Sequence, residues 1–278
     1  MSQSHPDAGQ PAPESTRQRG ALAIEPILAF RDNYIWLITR GARAAVVDPG
    51  DAQPVLEVLR ERQLRLDAIV VTHHHPDHVG GVHALVRACG APVMGPAHTP
   101  FDGIDLPLED GARVQILDEE FQVLSVPGHT LDHIAYWSPA LAVLFCGDTL
   151  FAGGCGRLFE GSPAQMHASL RRLAALPENT RVYCAHEYTL SNLRFALVAD
   201  PGNAALRERQ ERCAALREQG RPTVPSTMGE ERQTNPFLRC AELRLREVVQ
   251  DRMAKRNGVA QADEIAVFAA LRAWKDVF

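Results

Sequence analysis

The chain has 278 residues, 45% of them hydrophobic, and a formal net charge of −5. This is long enough for one sizeable core plus a smaller domain, and the acidic balance argues against a general affinity for nucleic acid. The six cysteines include no C-x-x-C pair, as expected of reduced thiols in a reducing compartment.

Residues 1–20 are rich in Ser, Gln, Pro and Gly and hold no apolar stretch of the kind a signal peptide needs, so they are expected to form a disordered tail. No segment approaches the ~20 apolar residues that would cross a bilayer. A soluble, cytoplasmic protein without membrane contacts is expected. From Ile24 to Phe30, Tyr34 to Thr39 and Arg43 to Asp48 the chain reads as short strands parted by turn formers. Gln53 to Gln63 reads as a helix, with Asp51 placed to cap it and Pro54 in its first turn. An apolar strand, Ala68-Ile69-Val70-Val71, runs into Thr72-His73-His74-His75-Pro76-Asp77-His78. One helix is expected after it, because Val79, Val82, Leu85, Val86 and Cys89 share a face.

Further strands are expected at Pro92 to Met94, Gly111 to Ile116, Phe121 to Val126, Ile134 to Trp137, Ala142 to Cys146 and Arg181 to Cys184. Ser162-Pro163-Ala164-Gln165 has the form of a capping box, opening a helix that turns Met166, Leu170 and Leu173 inward. From Ser191 on, only helical spacing is seen, interrupted by a Gly/Pro-rich linker from Gly220 to Pro236. The layout is α/β: two runs of strands with interleaved helices, followed by an all-helical C-terminal region. The expected boundaries are a domain over 21–187 and a helical domain over 188–278.

The H-x-H-x-D-H pattern lies in a strand-to-helix loop, where a rigid frame commonly presents functional groups. In an extended segment i and i+2 point the same way, so His73 and His75 can hold one metal together while His74 points elsewhere. Asp77 and His78, beyond the bend at Pro76, can face a second metal. His129, Asp148 and His186 also follow apolar strands. Singly, each could be a polar turn residue; together they suggest a constellation. His73, His75 and His129 suit one ion, Asp77, His78 and His186 a second, and Asp148 can bridge them. This nitrogen and oxygen donor set without Cys favours two divalent ions, zinc first, with iron and manganese compatible. Two such ions about 3.5 Å apart can share a hydroxide at neutral pH. No G-x-S-x-G is present, and Gly153-Gly154-Cys155-Gly156 lacks the Lys-Ser/Thr of a phosphate loop.

Thr72 to His78, with Gly128-His129-Thr130 and Gly147-Asp148-Thr149, resembles the metallo-β-lactamase superfamily. More narrowly, Phe30 to Tyr34, Gly147 to Phe151, Gly154-Cys155-Gly156-Arg157, Cys184 to Tyr188 and Asn235-Pro236-Phe237 resemble the glyoxalase II (hydroxyacylglutathione hydrolase) family. The resemblance spans about Ile24 to Phe278. It implies a four-layer αββα sandwich followed by a helical domain, with a binuclear site at one edge of the sheets. The implied reaction is hydrolysis of S-D-lactoylglutathione to glutathione and D-lactate, the second step of methylglyoxal detoxification. Asp77 and Asp148 are the implied catalytic carboxylates, and Arg157, Tyr188, Arg272 and Lys275 are the implied glutathione-binding positions. Phe159 stands where some relatives carry Tyr, and Asp132 where many carry Gly. The expected partner is a small glutathione thioester bound by a monomer. Independently, Arg272 and Lys275 are three apart on the last helix, as would suit a substrate with two carboxylates or simply a solvated helix end. His133 is near enough in sequence to His129 to support it from behind.

Overall fold

The computed structural model describes residues 21–257 and 263–278; the expected tail, residues 1–20, lies outside the described residues. An antiparallel meander opens the chain: β1 (Ala23–Ala29), β2 (Asn33–Arg40) and β3 (Arg43–Val47). Helix α1 (Ala52–Glu61) returns it to β4 (Arg65–Val70), parallel to β3. Asp51 caps α1, accepting a hydrogen bond from Gln53 N at 3.0 Å.

The single helix expected after the histidine loop is two: α2 (Pro76–Val79) and α3 (Val82–Cys89). The break falls where Gly81 N leaves the helical ladder and donates instead to Pro49 O at 2.9 Å, tying the loop to the end of the meander. Strands β5 (Val93–Pro96) and β6 (Leu106–Leu108) then add in parallel, completing a six-stranded sheet in the order β1 to β6. Strand β6 had no counterpart in the sequence pattern.

The second sheet begins with the antiparallel β7 (Arg113–Ile116), β8 (Glu119–Ser125), β9 (Ile134–Ser138) and β10 (Val143–Gly147). A small hairpin follows, β11 (Leu150–Phe151) and β12 (Gly154–Cys155). Next come α4 (Pro163–Ala174) and β13 (Arg181–Cys184), the latter parallel to β10. The Ser162 capping box is formed: Gln165 N donates to Ser162 Oγ and Ser162 N to Gln165 Oε1. The remainder is helical, with α5 (Thr189–Ala199), α6 (Ala204–Glu218), α7 (Met228–Thr234), α8 (Leu243–Asn257) and α9 (Glu264–Lys275). The segment expected as a plain linker, Gly220 to Pro236, instead holds α7 and a short strand β14 (Ser226–Thr227) that pairs with the edge of β13.

Strand alternation sorts the core into layers. Along β2, Trp36 and Ile38 point between the sheets, with Phe121, Val123 and Phe145 opposite. Ile35 and Leu37 point outward, under Val55 and Leu59 of α1 and Val82 and Leu85 of α3. Because both faces of this sheet are covered, every residue of β2 is buried, and each such apolar side chain contributes roughly 1.5–3 kcal/mol. On the far face of the second sheet, Met166, Leu170 and Leu173 of α4 are fully buried. No helix among the described residues is long and apolar enough to cross a membrane.

Candidate metal centre

Two parallel strand pairs set the site. β3 lies beside β4 and β10 beside β13, so within each pair the C-terminal ends open on one edge. This is where open parallel sheets bind ligands. Asp48 follows β3, His73 to His78 follow β4, Asp148 follows β10 and His186 follows β13. The loop after β8 brings His129. Gly147, the last residue of β10, has φ +46, and a Cβ there would lie 2.4 Å from Thr72 Oγ1. Only glycine lets β10 press against the histidine loop before Asp148 turns in.

All seven expected side chains meet. His73, His75 and His129 form one group, Asp77, His78 and His186 another, and Asp148 reaches both. Its Oδ2 lies 3.4 Å from His129 Nε2, while its Oδ1 lies 3.3 Å from His186 Nε2 and 3.5 Å from His78 Nε2. Asp77 Oδ2 lies 3.4 Å from His186 Nε2 and 3.5 Å from His78 Nε2. His129 Nε2 and His75 Nδ1 face each other at 3.0 Å.

The opposite ring nitrogens are held from behind, which fixes the tautomers. His129 Nδ1 donates to Arg157 O at 2.8 Å, and His186 Nδ1 to Asp32 Oδ1 at 2.9 Å. The Thr72 hydroxyl donates to Asp48 Oδ2, which leaves its oxygen to accept from His73 Nδ1. His78 Nδ1 is 3.1 Å from Asp48 Oδ2. Asp48 itself has φ +52, a left-handed backbone that Asp tolerates better than most residues. Asn33 Nδ2 donates to Asp77 Oδ2 at 2.9 Å. His133 is buried and stacks on His73; its Nε2 accepts from Asp148 N at 3.0 Å and its Nδ1 donates to Ile134 O. It therefore acts through Asp148.

The titration behaviour follows from burial and neighbours. Burial, then the adjacent His78, drives the pKa of His73 well below the usual imidazole value. Burial, then His129, pulls His133 down to about 3, so it is neutral. Burial also disfavours charge on His186 and His78. At His186, Asp148 outweighs it and raises the pKa to about 10; at His78, Asp148 and Asp48 outweigh it and hold the pKa well above the usual imidazole value. Burial would raise Asp148, but His186 and His78 hold it well below the carboxylate range.

Does a metal fit? Tetrahedral ligands ~2.1 Å from one ion lie about 3.4 Å from each other. The facing donor atoms lie 3.0 to 3.5 Å apart. His73 Nε2, His78 Nε2 and Asp148 Oδ1 are buried with no hydrogen-bond partner, a costly state that a cation relieves. The residues fit two divalent ions. His74 points away, as expected, with Nδ1 3.0 Å from Asp132 Oδ1 and Nε2 3.4 Å from Glu160 Oε1.

A cavity of about 470 Å³ opens on the cluster, and Arg157, Tyr188, Arg272 and Lys275 all line it. Tyr188 stacks on His186, with ring centroids 4.7 Å apart. Arg157 is largely exposed, whereas Arg272 is buried and committed: it donates to Cys155 O at 2.8 Å and to Asp276 Oδ1 at 3.1 Å. Asp276 also accepts from Arg157 Nε at 3.2 Å. Phe159 sits edge-on to His75 and His129 at the rim. Sequence reasoning missed Asp32, Asn33, Asp48 and Asp276. Asp32 and Asn33 lie in the Phe30 to Tyr34 motif at the start of β2, which carried the resemblance but no assigned role, and Asp48 follows β3, where only its place at a strand end could have flagged it.

Two family models cover the chain almost end to end: the metallo-beta-lactamase superfamily over residues 28–186 and the hydroxyacylglutathione hydrolase C-terminus over residues 187–278. A hydroxyacylglutathione hydrolase of Pseudomonas aeruginosa (strain LESB58) is 57% identical over 261 residues, spanning 92% of this chain and 100% of its own. Among solved structures, ETHE1 from Myxococcus xanthus is 26% identical, with a TM-score of 0.58, covering 90% of this chain and 99% of that one. TTHA1623, solved in a di-iron-bound form, is 30% identical with a TM-score of 0.56, covering 77% and 100%. The chain adopts the metallo-beta-lactamase fold with a helical C-terminal region, and it belongs to the hydroxyacylglutathione hydrolase family of that superfamily.

Proposed function

We propose that this chain hydrolyses S-D-lactoylglutathione, and related S-2-hydroxyacylglutathiones, to glutathione and the free 2-hydroxy acid. The observation that carries the reading is the split Asp148 carboxylate, one oxygen toward each ligand group, at the floor of a cavity with a cationic wall. Divalent ions held by the seven side chains, zinc being the proposed metal, supply Lewis acidity and a water whose pKa falls to roughly 7.

The rest is the work of the chain. Asp148 holds the two ligand groups in register, and His133 fixes its backbone. Asp77, oriented by Asn33, keeps a carboxylate at the reaction centre. Arg157 and Lys275 receive the glutathione carboxylates, Arg272 stiffens that wall, and Tyr188 packs beside the thioester. The thiolate leaves readily because ordinary thiol pKa values lie near 8.5. The matched relative from Pseudomonas aeruginosa bears the name of this activity.

The deciding experiment measures hydrolysis of S-D-lactoylglutathione beside a thioester lacking glutathione, with metal content determined on the same sample. Rapid, glutathione-dependent turnover that is lost on chelation and restored by zinc is expected. Equal rates on both thioesters, or full activity in metal-free protein, would overturn the reading.

A further inference from the structure

The ion pair Arg209–Glu231 lies in the helical region, sealed from water, and takes no part in the chemistry above. Arg209 donates to Glu231 Oε1 and to Thr234 Oγ1, each at 2.6 Å. The second oxygen, Glu231 Oε2, accepts from Asn235 Nδ2 at 3.1 Å and from Gly153 N at 2.9 Å. Gly153 is the tip of the β11–β12 hairpin, which joins Asp148 to Arg157.

No other strand pairs with that hairpin; apart from Cys146 Sγ of β10, which donates to Leu150 O at 3.1 Å, helical-region side chains satisfy it. Asn235 Nδ2 donates to Gly154 O at 2.8 Å, Asn192 Nδ2 to Ala152 O at 3.2 Å, and Arg272 to Cys155 O at 2.8 Å. These three meet carbonyls. Glu231 alone supplies an acceptor to the buried amide at the tip. The hairpin's exit leaves no slack: a Cβ on Gly156 would lie 2.0 Å from Asp148 O and 3.1 Å from His129 Nδ1. One residue later, Arg157 O receives the His129 ring proton. A shift at the tip is therefore delivered to His129 and to Arg157 together.

We infer that Glu231, held by Arg209, is a positioning residue that fixes the hairpin tip and thereby sets Arg157 and His129 at the cavity. A sealed charge pair is harder to keep than an apolar pair of the same volume. An apolar pair would fill the space here but leave the Gly153 amide without an acceptor.

Two double variants separate these terms, and the readout in KM rests on the proposed function. Arg209→Met with Glu231→Leu removes both charges and the acceptor; Arg209→Met with Glu231→Gln removes the charges and keeps an acceptor. For the Leu variant we expect KM for S-D-lactoylglutathione to rise about tenfold, as for a displaced Arg157, with a severalfold fall in kcat from the displaced His129. The Gly153 amide should exchange with solvent at least about tenfold faster once its partner is gone. The Gln variant should return both values to within about threefold of wild type. A folded Leu variant with unchanged KM and exchange overturns the proposal, as does a Gln variant no better than the Leu one. If the Leu variant does not fold, the wild-type chain decides: its Gly153 amide must exchange as slowly as those of β10, and exchange at an exposed-loop rate overturns the proposal. A wild type that cleaves no glutathione thioester refutes the functional reading instead, and the exchange measurements then decide this proposal alone.

Discussion

At the histidine end of the cavity every donor is buried or half-buried, and nearly every ring is held from behind by a second residue. His186 rests on Asp32, His129 on Arg157 O, His73 on Thr72, and Asp148 on His133. Across the cavity, Arg157 is 57% exposed, and its carboxylate partner, Asp276, is shared with Arg272. The two ends meet different physical demands. Ligands stripped of water cannot tolerate an unpaired neighbour, so that end is over-determined and should fail as a unit. A charge left largely in water, as Arg157 is, is individually weak and screened, so the wall should fail by degrees.

The sharpest way to break this comparison is Asp148→Ala. It removes the carboxylate that reaches both ligand groups and leaves His78 and His186 with Asp77 as the one anion facing their Nε2 atoms among the described residues. We expect thioester hydrolysis to fall by about 10³-fold or more, several kcal/mol of transition-state stabilisation, with metal content falling in parallel. The helical region should retain its circular dichroism. Normal metal content with near-normal turnover would show that the two groups do not depend on the bridge.

A smaller loss is expected one layer out. Asp32→Ala removes the acceptor behind His186 Nδ1 without touching a donor atom. Metal affinity, measured by competition with a chromophoric chelator, should weaken about 10- to 100-fold. An unchanged affinity would mean that packing against Tyr188 and Phe151 alone orients His186.

The same divide governs what could be read from the sequence. The donors were legible because period-2 spacing in an extended loop and a His or Asp just past each apolar strand are local signals. His73 and His75 share one group for that reason, and His74 turns away. The supports were not legible. Asp32 and His186 are 154 positions apart, and although each lies in a motif of the resembled family, neither motif by itself marks the pairing. Strands such as β2 were legible as short apolar runs between turn formers, and the αββα layering was implied by the family resemblance, but the helix expected after His78 was broken by a bond from Gly81 N to Pro49 O, a tertiary contact. The expected linker hid a helix whose start did carry a signal: Thr227, three residues before Glu230, accepts from its backbone N–H at 3.2 Å. That capping pattern was masked by the surrounding Gly and Pro. The small hairpin at Leu150 to Cys155 was invisible because side chains far along the chain hold it, not its own strand propensity.

The mildest prediction concerns the cationic wall, where the effect should be graded and set by pH. Burial, with Arg272 and Arg194 adding repulsion, pushes the Lys275 ammonium down to about 8. A lowered pKa means that folding disfavours the charged form, so Lys275 is cationic below about pH 8 and neutral above it. The carboxylates of a glutathione thioester stay ionised throughout this range. KM should therefore rise severalfold as pH passes upward through 8, an effect of about 1 kcal/mol for one partly screened contact. The substrate ammonium also titrates at alkaline pH, so the control is Lys275→Arg, whose guanidinium stays charged and should remove the step that belongs to the protein. Lys275→Met should show, already at pH 7, the KM that wild type reaches at high pH. If wild type and Lys275→Arg give superimposable KM profiles from pH 6.5 to 9.5, Lys275 does not meet the substrate as a cation, and the wall's affinity rests on Arg157.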